Sequence, residues 1–93
     1  MADAGKLHVS LVTPERELFA GEVDHVVAPG IEGEFDVLVD HAPFMTVLAE
    51  GDVVIVNDGK SRVFQVQGGF ADVNAEGMTI LAEHATEYGE TVH

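Results

Sequence analysis

Apolar residues alternate with polar ones along most of this chain, and this period of two constrains the fold more than any other feature. Successive side chains of a β-strand point to opposite faces, so such alternation is typical of strands that bury one face. No window of a dozen residues shows convincing helical spacing. The alternating positions are Leu7, Val9 and Leu11; Val23, His25 and Val27; Val53 and Ile55; Phe64 and Val66; and Met78, Ile80 and Ala82.

Turn-forming residues separate these segments at short intervals. Asn57-Asp58-Gly59-Lys60 supplies the Asp-Gly pair of a tight hairpin, which predicts a hairpin over residues 53–66. Residues 74–77 predict a second hairpin. Eight to ten short strands follow from this spacing. We therefore predict an all-β fold, an antiparallel β-sandwich or flattened barrel of about ten strands with essentially no helix.

The length of 93 residues allows a single domain. We assign residues 1–83 to the sandwich and residues 84–93 to a short C-terminal tail, which we expect to fray because it holds Gly89 and several charged or titratable residues. Gly68-Gly69-Phe70 predicts a bulge or sharp bend, with Phe70 as a core anchor.

Charge narrows the choice of partners. Four Lys plus Arg against 17 Asp plus Glu give a formal charge of -13. Such a chain repels phosphate backbones and anionic lipid, so we expect no nucleic acid partner and no lipid insertion, and a basic protein is the better partner. Cysteine is absent, which excludes disulfides and thiolate metal sites. The N-terminus lacks the pattern of a signal peptide, which predicts a cytoplasmic protein.

Catalytic motifs are hard to find. Ser10 and Ser61 sit at strand positions without a nucleophile elbow, and the five histidines lack the two- or four-residue spacing of paired metal ligands. Residues 29–34 contain glycines but no phosphate-binding Lys and no following helix. We therefore expect no catalytic, cofactor-binding or metal-binding residue.

The segment from Pro29 to Phe44 is the one region that suggests binding. It carries Glu32, Glu34 and Asp36 among prolines and glycines. From the residues alone, turns and a soluble sheet edge explain this segment better than a docking function does.

Five motifs in order resemble the N-terminal domain of the F-type ATP synthase epsilon subunit. They span about eighty residues, and together they are specific although each alone is weak. The motifs are Leu11–Phe19 with Gly21-Glu22-Val23; Pro29-Gly30-x-Glu32-Gly33-Glu34-Phe35; His41-Ala42-Pro43-Phe44; Gln67-Gly68-Gly69-Phe70-Ala71-Asp72-Val73; and Ile80-Leu81-Ala82-Glu83.

The resemblance implies a ten-stranded β-sandwich in the central rotor, bound to the gamma subunit and resting on the c-ring. It implies a non-catalytic subunit, peripheral on the cytoplasmic face of the bacterial inner membrane, that couples proton-driven rotation to ATP synthesis. It assigns Glu34 and His41, within the loops from Glu32 to His41, to contact with the c-ring and the foot of gamma. Thr46 and Asp72 are weaker candidates on the gamma-facing side.

The chain departs from the family pattern in two ways. Asp36 and Asp40 stand where relatives often have glycine, which puts a positive-φ turn there in doubt and adds charge to the docking loops. The chain also ends ten residues after Glu83, too few for the two-helix hairpin of most bacterial members. We therefore expect neither ATP binding nor inhibition by such a hairpin.

Two other functions stay open from the sequence. A free-standing β-sandwich module for a carbohydrate or peptide would fit the fold, although the chain has no Trp and only Tyr88 as a tyrosine platform. A small cupin-like metalloenzyme would account for histidines in a β-rich chain.

Overall fold

The computed structural model describes residues 5–40 and 42–92, and the side chains of these residues up to position 88. Every regular element in this part of the chain is a strand. The strands are β1 (Leu7–Val12), β2 (Glu17–Val23), β3 (His25–Gly30), β4 (Gly33–Leu38), β5 (Phe44–Val47), β6 (Gly51–Asn57), β7 (Lys60–Asn74) and β8 (Gly77–Val92).

The strands form one hydrogen-bonded sheet that folds over itself. Neighbouring strands follow the order β2, β1, β8, β7, β6, β3, β4. Strand β5 is outside this series and pairs with β7. The start of β7 pairs with β6 and its end pairs with β5, while β8 follows β7 along nearly its whole length. A front layer therefore holds β2, β1, the start of β8, the end of β7 and β5. A back layer holds the end of β8, the start of β7, β6, β3 and β4.

Two glycines bend the ribbon of β7 and β8 between the layers. Gly68 and Gly69 have φ angles of 74° and 112°, which non-glycine residues rarely adopt. A Cβ atom on Gly69 would overlap the carbonyl oxygen of Leu81 on the neighbouring strand. The predicted bend at this position is confirmed, and glycine is required there both for its conformation and for the close approach of β8.

The core lies between the layers and follows the predicted alternation. Its fully buried large side chains include Phe64, Leu11, Ile55, Met78 and Ile80. Aromatic pairs connect the layers toward both margins. The rings of Phe19 on β2 and Phe64 on β7 meet edge to face with centroids 6.3 Å apart, and those of Phe35 and Phe44 meet similarly at 5.3 Å.

Both predicted hairpins are present. Asp58 and Gly59 both have positive φ, 55° and 80°, as a two-residue turn of the mirror-image type requires. Asn57 pairs with Lys60 at the end of this hairpin. The second hairpin closes where Asn74 pairs with Gly77.

The all-β class is confirmed, but three details differ from the prediction. The described residues form eight strands where about ten were expected, because β7 and β8 each run through the bend as one long strand. One pair is parallel: β1 lies alongside β8 with Val9 opposite Met78. The segment 84–92, expected to fray as a tail, continues β8, with His84 paired to Gln67 and Val92 paired to Lys60.

Two side-chain assignments were also wrong. Phe70 is 40% exposed, and its neighbour Ala71 is buried instead, because the bend turns Phe70 outward. Val27 does not share the buried face of Val23, since a bend at Asp24 between β2 and β3 shifts the alternation and buries Val26 and Ala28. Asp36 and Asp40 do not have positive φ, so no glycine-like conformation is needed at either position.

Candidate docking surface

An acidic tip forms at the turn between β3 and β4. The hairpin closes where Gly30 pairs with Gly33, and Glu32 and Glu34 are exposed around it. Gly33 has a φ of 136°, and a Cβ atom on Gly30 would lie 2.8 Å from the Gly33 carbonyl oxygen. Glycine at both positions therefore permits the tight turn that holds the two carboxylates outward. Ile31, which lies in the same turn next to Glu32, is 64% exposed.

Strand β5 lies beside this tip and completes a shallow groove of about 350 Å³. Glu32, Glu34 and Thr46 line it, together with the half-buried rings of Phe35 and Phe44 and the exposed side chain of Met45. We call this the tip groove. Its lining combines two carboxylates with apolar side chains, so it suits a partner that presents both cations and apolar atoms.

The structure brings some of the predicted contact residues together and leaves others apart. Glu32, Glu34 and Thr46 share the tip groove, and Asp72 lies next to it because it pairs with Met45 across β5 and β7. Asp36 lies farther along β4, where its Oδ1 is 2.9 Å from the Nδ1 atom of His25. His41 lies outside the described residues.

An apolar row crosses the outer side of the front layer. Val47 pairs with Phe70, Phe70 with Leu81, and Leu81 with Val12, so these four side chains stand in one line across four strands. Val47 is 53% exposed, and Phe70 and Leu81 are each 40% exposed. We call these four residues the outer row. Directly paired side chains of neighbouring strands lie close together, so the row forms a continuous apolar surface.

A wide groove of about 670 Å³ accompanies the outer row. Pro14 and Leu48 add apolar surface to it, and Glu83 adds a carboxylate. Contiguous apolar surface that is exposed in this way is typical of interaction sites, which makes the outer row a candidate docking surface.

Sequence reasoning missed the outer row because it assigned Phe70 to the core. The signal was present in the alternation itself. Phe70 is two residues from Asp72 and therefore shares its face, while Ala71 and Val73 take the buried face. Reading that segment by period, rather than by the hydrophobicity of one aromatic residue, would have turned Phe70 outward.

A charged network fixes the other end of the sandwich, where the β6–β7 turn lies. The Lys6 Nζ donates hydrogen bonds to Asp24 Oδ1 at 2.8 Å, to Asn57 Oδ1 at 2.6 Å and to Asp58 Oδ1 at 3.2 Å. The Asp58 backbone N–H donates to the second oxygen of Asp24. Hydrogen bonds from Lys6 and then from the Asp58 backbone lower the pKa of Asp24, and the bond to Asp24 raises the pKa of Lys6.

Arg62 on β7 is held by two aromatic rings and by the carboxylate of Glu87 on β8. The Arg62 guanidinium donates two hydrogen bonds to Glu87, at 2.7 and 2.9 Å, and lies 5.1 Å from the centroid of the Phe19 ring and 5.4 Å from that of Phe64. Its hydrogen bonds lower the pKa of Glu87. Both charged clusters are satisfied within the fold and serve to hold strands together.

Among the described side chains, those of residues 5–40 and 42–88, no group of three or more metal-ligating residues gathers. In the same part of the chain, no helix long and apolar enough to cross a bilayer occurs.

Comparison with known proteins identifies the family. Residues 6–88 match the family model described as ATP synthase, Delta/Epsilon chain, beta-sandwich domain. A protein of Caulobacter vibrioides named ATP synthase epsilon chain is 66% identical over 82 residues, which cover 88% of this chain and 95% of that one. A protein of the same name from Hyphomonas neptunium is 64% identical over 83 residues, and there the match covers 88% of this chain and 62% of the relative.

Solved structures give the same result. A chain in the cryo-EM structure of the Euglena gracilis mitochondrial ATP synthase, comprising OSCP, F1 and c-ring, superposes with a TM-score of 0.83 and 26% identity over 89% of this chain and 54% of that one. A chain of the Tetrahymena thermophila mitochondrial ATP synthase central stalk and c-ring has a TM-score of 0.70 at 20% identity over 85% of this chain and 64% of that one, a likeness of fold. The resemblance seen in the sequence is thus confirmed, and the chain belongs to the delta/epsilon-chain family of ATP synthases through its β-sandwich domain.

Proposed function

We propose that this chain is the non-catalytic central-stalk subunit that links gamma to the c-ring of a proton-translocating F-type ATP synthase. In this role it transmits rotation and makes no covalent bond. The observation that carries the proposal is the placement of the outer row next to the acidic tip on a chain of this family. Two chemically different surfaces lie side by side, as a subunit held between two different neighbours requires.

The outer row supplies the contact with gamma. Val47, Phe70 and Leu81 are partly exposed, whereas the aliphatic residues of the adjoining core are buried. Covering such apolar area stabilises a complex by about 25 cal/mol for each Å² removed from water, before the costs of association are subtracted. Asp72 lies at the margin of this surface, on the same face as Phe70, and gives its rim a polar group. Thr46 pairs with buried Ala71 and therefore takes the opposite face of β5.

The acidic tip supplies the contact with the c-ring. Loops on the cytoplasmic side of a membrane protein are enriched in Lys and Arg, which complement Glu32 and Glu34. Opposite charge steers association and fixes the orientation of the bound partner, and salt weakens it. A peripheral position on the cytoplasmic face of the membrane follows from this contact.

The close-packed core suits the mechanical role. Protein interiors pack at the density of organic crystals and transmit strain with little slack. The ribbon of β7 and β8 runs through both layers, so displacement of one layer is passed directly to the other.

Two pairs of matched variants test the two contacts separately. Leu81→Ser should weaken binding to purified gamma, while Tyr88→Ser should not, because Tyr88 is exposed on the back layer, away from the outer row. Glu34→Lys should weaken association with the c-ring at low salt, while Glu76→Lys should not, since Glu76 is exposed in the turn between β7 and β8.

Reconstitution tests the function as a whole. A synthase assembled without this chain should still hydrolyse ATP in its catalytic head but should couple hydrolysis poorly to proton pumping. Full assembly and normal pumping without the chain would refute the proposal, as would equal effects of both members of each variant pair.

A further inference from the structure

One methionine stands on the proposed docking surface in an accessible position. The side chain of Met45 is 64% exposed on β5, whereas that of Met78 is 1% exposed in the core. A thioether in contact with solvent is open to small peroxides, and a buried one is shielded. The chain therefore contains an oxidisable methionine and a protected reference residue.

The surroundings of Met45 give its oxidation a consequence. Met45 lines the tip groove with Glu34, and it shares its strand face with Val47 of the outer row. Its side chain thus lies where the acidic and apolar parts of the surface meet. Docking of a partner would bury a sulfoxide oxygen added at this point. No hydrogen-bond donor is assigned to that oxygen.

We propose that Met45 is an oxidation site of the undocked chain, and that its sulfoxide blocks docking to gamma. The proposal rests on the proposed function. Hydrogen peroxide is the oxidant: a sulfur lone pair attacks one peroxide oxygen, the O–O bond breaks, and the second oxygen leaves as water after proton transfer. The sulfur is oxidised to the sulfoxide and the peroxide is reduced. A methionine sulfoxide reductase would reverse the step.

Burial of an unsatisfied polar group weakens a complex by roughly tenfold or more. We therefore expect at least that loss of gamma affinity when Met45 is oxidised. In the docked chain, the partner covers Met45 and should slow its oxidation. The modification would thus act on free subunits before assembly and leave assembled rotors largely unaffected.

The test treats the isolated full chain with hydrogen peroxide and locates sulfoxides by peptide mass spectrometry. Sulfoxide should form at Met45 well before Met78. Binding of the treated and untreated chains to purified gamma is then measured by calorimetry. The matched control is Met45→Leu, which keeps a side chain of similar volume and retains Met1 and Met78. Its affinity should be the same before and after peroxide.

Three results would overturn the proposal. The first is oxidation of Met78 as fast as Met45, and the second is unchanged gamma affinity in wild-type chain whose Met45 is fully oxidised. Loss of affinity by Met45→Leu after peroxide would also overturn it, because oxidation elsewhere would then be responsible. Failure of the untreated chain to bind gamma would instead refute the proposed function and the docking consequence, while the mass spectra would still identify the oxidised residue.

Discussion

Replacement of Phe64 by alanine should destabilise this domain far more than replacement of Phe70, although both aromatic residues lie on β7. Phe64 is 0% exposed and contacts the Phe19 ring between the layers. Truncation of a fully buried phenylalanine to alanine costs about 3 to 5 kcal/mol through lost transfer free energy and the cavity left behind. Phe70 is 40% exposed, so Phe70→Ala removes much less buried surface and leaves a gap that solvent fills.

The size of the effect can be set against the total stability. Domains gain roughly 0.05 to 0.15 kcal/mol per residue on folding, which is about 5 to 14 kcal/mol for a chain of this length. Phe64→Ala would remove a large part of that margin. In urea, with a slope of about 1 to 3 kcal/mol per molar, the midpoint should fall by at least about 1 M.

Urea unfolding followed by far-ultraviolet circular dichroism measures both variants, since the chain has no tryptophan for fluorescence. Binding of the same samples should show a different pattern. Phe70→Ala should clearly weaken the proposed association with gamma, although it changes the free energy of unfolding little. Equal loss of unfolding free energy in the two variants would refute the assignment of Phe64 to the core and Phe70 to the surface.

Three further changes test other features. Gly69→Ala should prevent the bend and strongly lower the melting temperature, whereas Gly59→Ala, which meets no atom within 4 Å, should cost only turn strain; similar melting of both variants would contradict the steric argument. Lys6→Met should make the free energy of unfolding less sensitive to acid. The hydrogen bond from Lys6 lowers the pKa of Asp24 below 3.8 in the folded protein, so the stabilisation by this carboxylate is present above pH 3.8 and is lost as the pH falls through the lowered pKa. An unfolding free energy with the same pH dependence in both proteins would refute that linkage. Arg62→Lys should lower stability because an ammonium cannot keep the two parallel hydrogen bonds of the guanidinium, and an unchanged urea midpoint would count against it.

Local patterns in the sequence predicted the elements that depend on neighbouring residues. Alternation located the strands of the core, and Asp58-Gly59 located a tight turn, because both signals act within a few residues. The pair Gly68-Gly69 likewise marked the bend. The outward direction of Phe70 was missed because its aromatic side chain was assigned to the core, although the alternation with Ala71 and Asp72 indicated that direction.

Features set by distant pairings could not be predicted in the same way. Nothing local in Leu7–Val12 indicates that this strand lies parallel to β8. The continuation of β8 through residues 84–92 was missed because charged and titratable residues suggested a tail, although β7 offers them a full row of backbone partners. Pairing with a long neighbouring strand outweighs weak β propensity.

Among the candidate contacts, Glu32 and Glu34 lay within one motif, whereas their proximity to Thr46 depends on the packing of β5 beside the β3–β4 hairpin. The alternation could have shown that Phe70 is exposed, but it could not have shown the alignment of the whole outer row. Its four members come from four segments, and only the register of the strands brings them into line.

The hairpin of β7 and β8 also bears on how the chain reaches its native state. Pairing can begin at the Asn74–Gly77 turn and spread outward, each step closing only a short loop, while the parallel contact of Val9 with Met78 joins residues roughly seventy positions apart. Because long loops must be closed before such contacts stabilise anything, we expect this ribbon to be largely formed in the folding transition state and β1 to join it afterwards. Destabilising changes near Asn74 should then slow folding, and those in β1 should mainly accelerate unfolding.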